Sequence, residues 1–288
     1  MASRQQIKQR IGSVKNTKQI TRAMQLVAAS KLRRAQDAAA GPTAYAELAR
    51  EVLASLRHVV NTGEAHTLFS QRPIKNRLLI VISSDLGLAG AYDANVIRQM
   101  LDEIKADRDK NVNTLVVTIG RKAAQVAGRV SGVTVEGMYS ELADKPDADA
   151  IRPILYSLVN MFLDHKVDAV DLIYTHFVST VTQQVTMQRL LPAGAQEVSE
   201  EGYVSQSVEP SADMLARVAT ERLVEAQVYQ AMLDAKASEH SMRMLAMKNA
   251  TDNASDLIDD LTLAFNNARQ AAITQELAEI SGGVEAMK

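Results

Sequence analysis

The chain of 288 residues contains no cysteine and no tryptophan, and aromatic residues make up only 4% of it. Without cysteine, the protein has neither disulfides nor cysteine-ligated metal. Hydrophobic residues nevertheless reach 47%, and they are mainly the aliphatic residues typical of slender, closely packed helices. Because no apolar run approaches the roughly 20 residues that span a bilayer and the N-terminus lacks a secretory signal, we expect a soluble cytoplasmic protein.

Acidic side chains are missing from residues 1–34, which hold nine basic ones, although the whole chain has a net charge of only −2. A basic end of this kind favours acidic surroundings, namely nucleic acid, anionic lipid or an acidic protein surface. The first 44 residues lack the aromatics that stack on bases, and their Ala-rich apolar face offers few bulky membrane anchors. An acidic protein surface is therefore the favoured partner.

Glycine and proline are absent from 71 consecutive residues, 211–281, between Pro210 and the pair Gly282–Gly283. These bounding residues are natural start and stop marks, and a helix of this length would reach roughly 107 Å. Its apolar residues follow alternating four- and three-residue spacing, which predicts a coiled-coil seam with close approach of the partner helix. The predicted seam comprises Ala250, Ala254, Leu257, Leu261, Ala264, Ala268, Ala271 and Ala278.

A second apolar stripe at helical spacing lies near the N-terminus and predicts a partner helix over residues 3–58. Its first members are Ile7, Ile11, Val14, Met24, Val27, Ala28, Leu32 and Ala35. The pair Gly41–Pro42 is expected to kink or interrupt this helix. Two helices that leave one central domain must run antiparallel, so the longer C-terminal helix should overhang. Its tip carries Ile273, Leu277, Ile280 and Val284, and we expect another protein to cover these side chains.

Between the helices, the hydrophobic pattern changes to that of a largely parallel, three-layer α/β domain. Strands are predicted over 77–84, 112–120, 133–138, 167–177 and 185–191, and helices over 93–108, 122–129 and 148–164. Residues 196–210 are polar and turn-rich, hence a loop. The predicted organisation is an N-terminal coiled-coil helix (1–58), a central Rossmann-like α/β domain (59–210) and a C-terminal coiled-coil helix (211–288).

No motif in the sequence predicts catalysis, a cofactor or a metal site. The loop DLGLAG at residues 85–90 follows the first strand, but it has neither the Walker lysine nor the three-glycine dinucleotide spacing, so a tight turn or protein contact is favoured. The five histidines lack metal-ligand spacing, and Ser83, Ser84, Asp85 and His176 form no hydrolase motif. Asp252, Asp256, Asp259 and Asp260 are typical of the solvated face of a helix.

Long segments at both ends resemble a known family. The stretches IKQRIGSVKNTKQITRAMQLVAASKLRRAQ and SEHSMRMLAMKNATDNASDLIDDLTLAFNNARQAAITQELAEISGG are similar to the two terminal helices of bacterial ATP synthase gamma subunits. The central SSDLGLAGAYDANV and QVTMQRLLP resemble that family's first loop and late strand. The resemblance extends from end to end in the family's order.

The resemblance implies roles for particular residues. Ile273, Thr274, Glu276, Glu279 and Gly283 match the family's C-terminal motif, whereas Val284 and Met287 depart from it. Three positions that form a catch against loops of the family's catalytic beta subunits are matched here by Arg269, Gln270 and Thr274. The position of Met24 lies near the same region of the beta subunits. Met24 suits a place in the core of the coiled coil equally well. Tyr203 and Glu209 are the candidate residues of a foot that contacts the epsilon subunit and the c-ring.

The resemblance also implies a function. A single copy would form the non-catalytic shaft inside a hexameric ring of alpha and beta subunits, bound to the epsilon subunit and the c-ring, at the cytoplasmic face of the bacterial inner membrane. It would need no cofactor and bind no nucleic acid. Two alternatives remain at this point: an α/β nucleotide-binding enzyme whose helical ends dimerise, and a coiled-coil adaptor on nucleic acid or membrane.

Overall fold

A computed structural model describes residues 4–60, 68–141, 143, 148–193 and 212–286. The chain forms two compact units: Met1–Ala28 with Arg243–Lys288 (the helical unit), and Ala29–Met242 (the sheet unit). The elements in chain order are α1 (Arg4–Val60), β1 (Asn76–Ile82), α2 (Tyr92–Asp109), β2 (Asn113–Ile119), α3 (Arg121–Ala127), β3 (Val133–Tyr139), α4 (Ala148–Leu163), β4 (Ala169–Phe177), β5 (Gln183–Leu191) and α5 (Ala212–Ala286). The domain boundaries at 58/59 and 210/211 stay a prediction.

The sheet unit contains one five-stranded sheet in the order β3-β2-β1-β4-β5. The pairs β1·β2, β1·β4 and β2·β3 are parallel, while β4 and β5 form an antiparallel hairpin. The central strand β1 reads NRLLIVI and is buried along nearly its whole length. Such a continuous apolar run is required where helices cover both faces of a parallel sheet. The predicted, largely parallel α/β arrangement is confirmed.

Alternate residues of the central strands point into two separate cores. On one face, Leu79 and Val81 pack with α2 and α3. On the other face, Leu78 and Ile80 pack with α4 and with the part of α5 from Leu223 to Ala235. The first turns of the C-terminal helix that are described in full therefore form part of the sheet unit, a role that its coiled-coil pattern does not reveal.

The helical unit is built from α1 and α5, which run antiparallel. Thr21 faces Thr251, with 2.8 Å between their hydroxyl oxygens. The less exposed stripe on α5 continues to Ala272, whereas α1 belongs to this unit only as far as Ala28. If the two helices ran parallel from this contact, Ala28 would lie beside residue 258, and α1 could not cover the stripe beyond it. In an antiparallel pair, the part of α1 that precedes Thr21 lies beside that stripe. The predicted antiparallel coiled coil is thus confirmed.

The seam on α5 has a different phase from the predicted one. Leu257 is 46% exposed, and Ala264, Ala271 and Ala278 are also exposed. The least exposed side chains in alternating four- and three-residue steps are Met247, Thr251, Ala254, Ile258, Leu261, Phe265, Ala268 and Ala272. The predicted and the observed seam share Ala254, Leu261 and Ala268. The observed seam also buries the larger side chains of Ile258 and Phe265, which is favourable because more apolar surface is removed from water. The prediction of a seam lined mainly by alanine was therefore wrong.

Two expected helix interruptions do not occur. Helix α1 continues through Gly41–Pro42 to Val60, and α5 continues through Gly282–Gly283 to Ala286. In a helix interior glycine costs about 1 kcal/mol and proline about 3 kcal/mol relative to alanine, and the many other turns of these long helices offset both costs. The predicted loop at 196–210 lies outside the described residues.

Candidate functional site

The exposed surface of α1 carries a basic and an apolar component. Lys8, Arg10, Lys15 and Arg22 are exposed, as the charge pattern predicts. Ile20, Leu26 and Val27 are large apolar side chains that also point outwards. Such side chains are unusual on the outside of an isolated two-helix coiled coil, so this surface has the character of a protein-binding site.

The seam of α1 at the same level is polar. The inward positions in heptad steps after Val14 are Lys18, Thr21 and Gln25, and the seam returns to apolar residues at Ala28. Within residues 18–27, which we call the inverted segment, the seam positions are therefore polar, while the large apolar side chains of Ile20, Leu26 and Val27 point outwards. A heptad pattern counted on apolar residues alone includes Val27 and omits Thr21. The observed phase corrects the predicted stripe at both positions.

The residues predicted to form a catch lie near the end of the seam on α5. Arg269, Gln270 and Thr274 are all exposed, and the Thr274 hydroxyl donates a hydrogen bond to the carbonyl oxygen of Gln270 at 2.9 Å. Met24 on α1 is half-buried, which suits both of its predicted roles. The catch itself stays a prediction, and Tyr203 and Glu209 lie outside the described residues.

Among the side chains beyond Ala272 whose burial is described, those of residues 273–278, 280 and 281, none is hidden within the helical unit. Ile273, Leu277 and Ile280 are exposed. This segment, residues 273–281, is called the tip below. An amphipathic helix that exposes its apolar residues gains stability when a partner buries them.

The acidic side chains of α5 point to solvent. Asp252, Asp256, Asp259 and Asp260 are exposed, as predicted for a solvated helix face. Among the residues that the structure describes, no group of three or more His, Asp or Glu side chains is arranged to hold a metal ion.

The carboxylates of the loop after β1 and of the helix that follows it bind backbone amides. Asp85 accepts hydrogen bonds from the amides of Arg121 at 3.1 Å and Glu141 at 2.9 Å. Asp93 accepts one from the amide of Ser84 at 2.9 Å. These bonds use the acidic side chains to fix the loop against β1, α3 and the end of β3. The geometry favours the predicted tight turn.

A buried ionic cluster joins the amino ends of the central strands to α2. Arg77 contacts Glu103 at 3.0 Å and Asp107 at 2.9 Å, and it also pairs with Asp171. Burial alone would lower the pKa of Arg77, but the charges of Asp171 and Asp107 raise it above its ordinary value. Arg77 therefore keeps its charge, and its contacts with three carboxylates make the cluster a structural link rather than a reactive site.

Asp168 ties the entry of β1 to the end of α4. Its carboxylate accepts hydrogen bonds from the amides of Lys75 and Asn76, each at 2.9 Å, and from Arg72 Nε at 2.6 Å. Burial alone raises the pKa of Asp168, but these hydrogen bonds outweigh it and hold the pKa below the ordinary 3.8. Neither Arg72 nor Asp168 was singled out from the sequence, since no local pattern relates residues so far apart.

None of the helices in the described part of the chain combines the length and the hydrophobicity required to cross a membrane.

Comparisons with known proteins agree with this architecture. The family model described as ATP synthase matches residues 3–287. The ATP synthase gamma chain of Chloroflexus aurantiacus is 42% identical over 289 residues, which cover 100% of this chain and 99% of the relative. The ATP synthase gamma chain of Stenotrophomonas maltophilia is 40% identical, with 100% of both chains covered.

Solved structures are similar as well. A chain of the Euglena gracilis mitochondrial ATP synthase superposes with a TM-score of 0.65 at 16% identity, covering 98% of this chain and 93% of its own length. A chain of the Tetrahymena thermophila mitochondrial ATP synthase, from a structure of the central stalk and c-ring, gives a TM-score of 0.58 at 25% identity, covering 80% and 99%. With full-length relatives at 40% identity and more, this chain belongs to the ATP synthase gamma chain family.

Proposed function

We propose that the chain is the non-catalytic central shaft of a rotary ATP synthase, which couples proton-driven rotation of a c-ring to ATP synthesis or hydrolysis in a ring of alpha and beta subunits. The observation that carries this proposal is the tip: a helix that extends past its own partner and exposes Ile273, Leu277 and Ile280. These side chains fit the bore of a partner that surrounds the helix. The shaft also contributes to the regulation of ATPase activity and proton flow.

The surface chemistry of the helical unit supports the same role. The basic side chains of α1 attract acidic loops without fixed contacts, and the inverted segment adds an apolar surface. An asymmetric shaft touches each catalytic subunit differently, so it favours different open and closed populations at each site. Rotation carries this bias from one subunit to the next.

The proposed contacts are those that the resemblance to the family implies. Arg269, Gln270 and Thr274 hold the beta subunits as a catch, and Met24 lies near the same subunits from α1. The sheet unit binds the epsilon subunit and the c-ring, with Tyr203 and Glu209 as candidate foot residues, and the complex places the chain at the cytoplasmic face of the inner membrane. No nucleotide is needed by the chain itself, and we place no nucleic acid among its partners.

The test is assembly with purified alpha and beta subunits from the same source, followed by size-exclusion chromatography with light scattering and an ATPase assay. We expect one copy of the chain in an active hexameric ring. A variant lacking residues 270–288 should assemble or couple more weakly while the sheet unit keeps its fold. Lack of association, together with nucleotide turnover by the chain alone, would overturn the proposal in favour of an enzyme. Salt-sensitive binding to DNA or anionic vesicles as the main activity would favour an adaptor.

A further inference from the structure

Three buried polar side chains on α5 hold this helix to the β4–β5 hairpin within the sheet unit. Asp234, Ser238 and Ser241 are spaced four and three residues apart, so they share one face of the helix. His176 Nδ1 donates to Asp234 Oδ2 at 2.7 Å, and the hydroxyls of Ser238 and Ser241 donate to the carbonyl oxygens of Thr175 at 3.1 Å and Thr180 at 2.8 Å. We call these three helix residues the polar anchor.

The hairpin turn that receives Ser241 is itself braced. Ser179 Oγ accepts hydrogen bonds from the amides of Val181 at 3.3 Å and Thr182 at 3.0 Å. The Gln183 side chain donates to the carbonyl oxygens of Ser179 and Thr180 at 2.9 and 3.0 Å, and its Nε2 also lies 3.3 Å from Ser241 Oγ. The acceptor for Ser241 is therefore held in place by contacts within the hairpin itself.

The polar anchor differs from the contact made by the preceding turns. The α5 side chains that join the core of the sheet before the anchor are Leu223, Val224, Val228, Ala231 and Met232, and such apolar contact is non-directional. The anchor residues are almost completely buried, and hydrogen bonds are directional. Because neighbouring residues in a helix lie about 100° apart, turning α5 by one residue would remove all three side chains from their acceptors. Unpaired buried polar groups are unfavourable, so the anchor fixes the rotation of the helix.

We propose that the polar anchor sets the rotational position of α5 against the β4–β5 hairpin and is the point at which rotation of the sheet passes into the long helix. The anchor ends at Ser241, immediately before Met242, the last residue of the sheet unit. The mechanical part of this inference rests on the proposed shaft function. The existence of the anchor does not, because it concerns contacts within one unit of the free chain.

The test uses the variant Ser238→Ala/Ser241→Ala and, as a milder form, Ser241→Ala. Alanine keeps the helix, since it has the highest helix propensity. The matched control is Ser255→Ala, because the Ser255 hydroxyl bonds only within α5, to the carbonyl oxygen of Thr251 at 2.9 Å. Amide hydrogen exchange of the full chain reports on the anchor. ATP-driven proton pumping per ATP hydrolysed, measured for the assembled complex in vesicles, reports on coupling.

We expect amides in 177–183 and 236–242 of the double variant to exchange about tenfold faster, as loss of a hydrogen bond predicts, and the pumping ratio to fall about threefold. Ser241→Ala should show smaller changes and Ser255→Ala none. Unchanged exchange would overturn the anchor, and faster exchange with full pumping would overturn its mechanical role. If the wild-type chain itself supports no coupling, the shaft function and the mechanical role both fail, while the exchange rates still decide whether the anchor exists.

Discussion

Thr21 on α1 and Thr251 on α5 bring their hydroxyl oxygens to 2.8 Å at buried positions, where their side chains are 9% and 6% exposed. Each hydroxyl also lies within reach of a carbonyl oxygen of its own helix, Thr251 at 2.8 Å from that of Met247 and Thr21 at 3.1 Å from that of Lys18. Because each hydroxyl carries one proton, one threonine donates across to its partner while the other donates within its own helix. A buried polar pair in the seam favours one register, because any shift breaks the hydrogen bond between the two helices.

Replacement of Thr251 by valine should destabilise the helical pair by about 1 kcal/mol, because it removes the hydrogen bond between the two hydroxyls. The double variant Thr21→Val/Thr251→Val should lose less than the sum of the two single variants, by about 0.5–1.5 kcal/mol. Urea unfolding followed by helical ellipticity provides the measurement, with the exposed Thr262→Val as control. Additive losses would show that the two hydroxyls do not interact.

Gly120 and Gly12 should respond in opposite directions to replacement by alanine. Gly120 has φ +104° and a Cβ there would lie 2.1 Å from the carbonyl oxygen of Ser83, whereas a Cβ at Gly12 meets nothing within 4 Å. We expect Gly120→Ala to destabilise the sheet unit by about 3 kcal/mol or more. Gly12→Ala should stabilise α1 by about 0.5–1 kcal/mol. Unfolding midpoints of the two variants decide this, and equal midpoints would contradict the geometry around Gly120.

The effect of Asp168→Asn should depend on pH. The pKa of Asp168 is lowered in the folded chain, so its carboxylate contributes stability above the pKa of the unfolded chain, about 3.9. That contribution is lost as the pH falls through the lower, folded value.

At pH 7 we expect Asp168→Asn to cost about 1–3 kcal/mol, because the charge-assisted bonds to Arg72 and two amides are weakened. Below about pH 4 the difference from wild type should shrink. The measurement is urea unfolding at pH 7 and pH 3, with Asp260→Asn as an exposed control. A difference that is the same at both pH values would show that ionisation of Asp168 does not matter.

The double variant Leu277→Gln/Ile280→Gln should weaken assembly with the alpha and beta subunits about tenfold or more, because it removes apolar surface from the tip. The free chain should keep its stability, since the two side chains are 62% and 66% exposed. Met138→Gln changes a side chain that is 60% exposed in the sheet unit and should leave this assembly unchanged. Titration followed by light scattering gives the affinities, and equal affinity for wild type and double variant would show that the tip is not buried by these subunits.

The sequence was sufficient for the elements and the sheet class because their patterns are local. An unbroken apolar run such as that of β1 suits only a strand covered on both faces, and the seventy-residue stretch without glycine or proline suits only a long helix. The phase of the coiled coil, in contrast, could not be predicted from the local sequence pattern. Leu257 and Ile258 are adjacent apolar residues, and only the partner helix decides which of them is buried.

The long-range contacts could not be predicted for the same reason. Asp234, Ser238 and Ser241 look like ordinary polar residues of an exposed helix face, yet all three are buried. Their hydrogen-bond partners lie about sixty residues away along the chain. Their four- and three-residue spacing was the available signal, although that spacing does not indicate which strand lies opposite.

The alternating four- and three-residue steps of both seams average 3.5 residues per turn, slightly fewer than the 3.6 of a straight helix. Two helices that keep such seams in contact must wind around each other with left-handed supercoiling. A pair of this handedness does not resist twisting equally in both senses. A load that winds the helices further tightens the seam around Thr21 and Thr251, whereas the opposite load separates it.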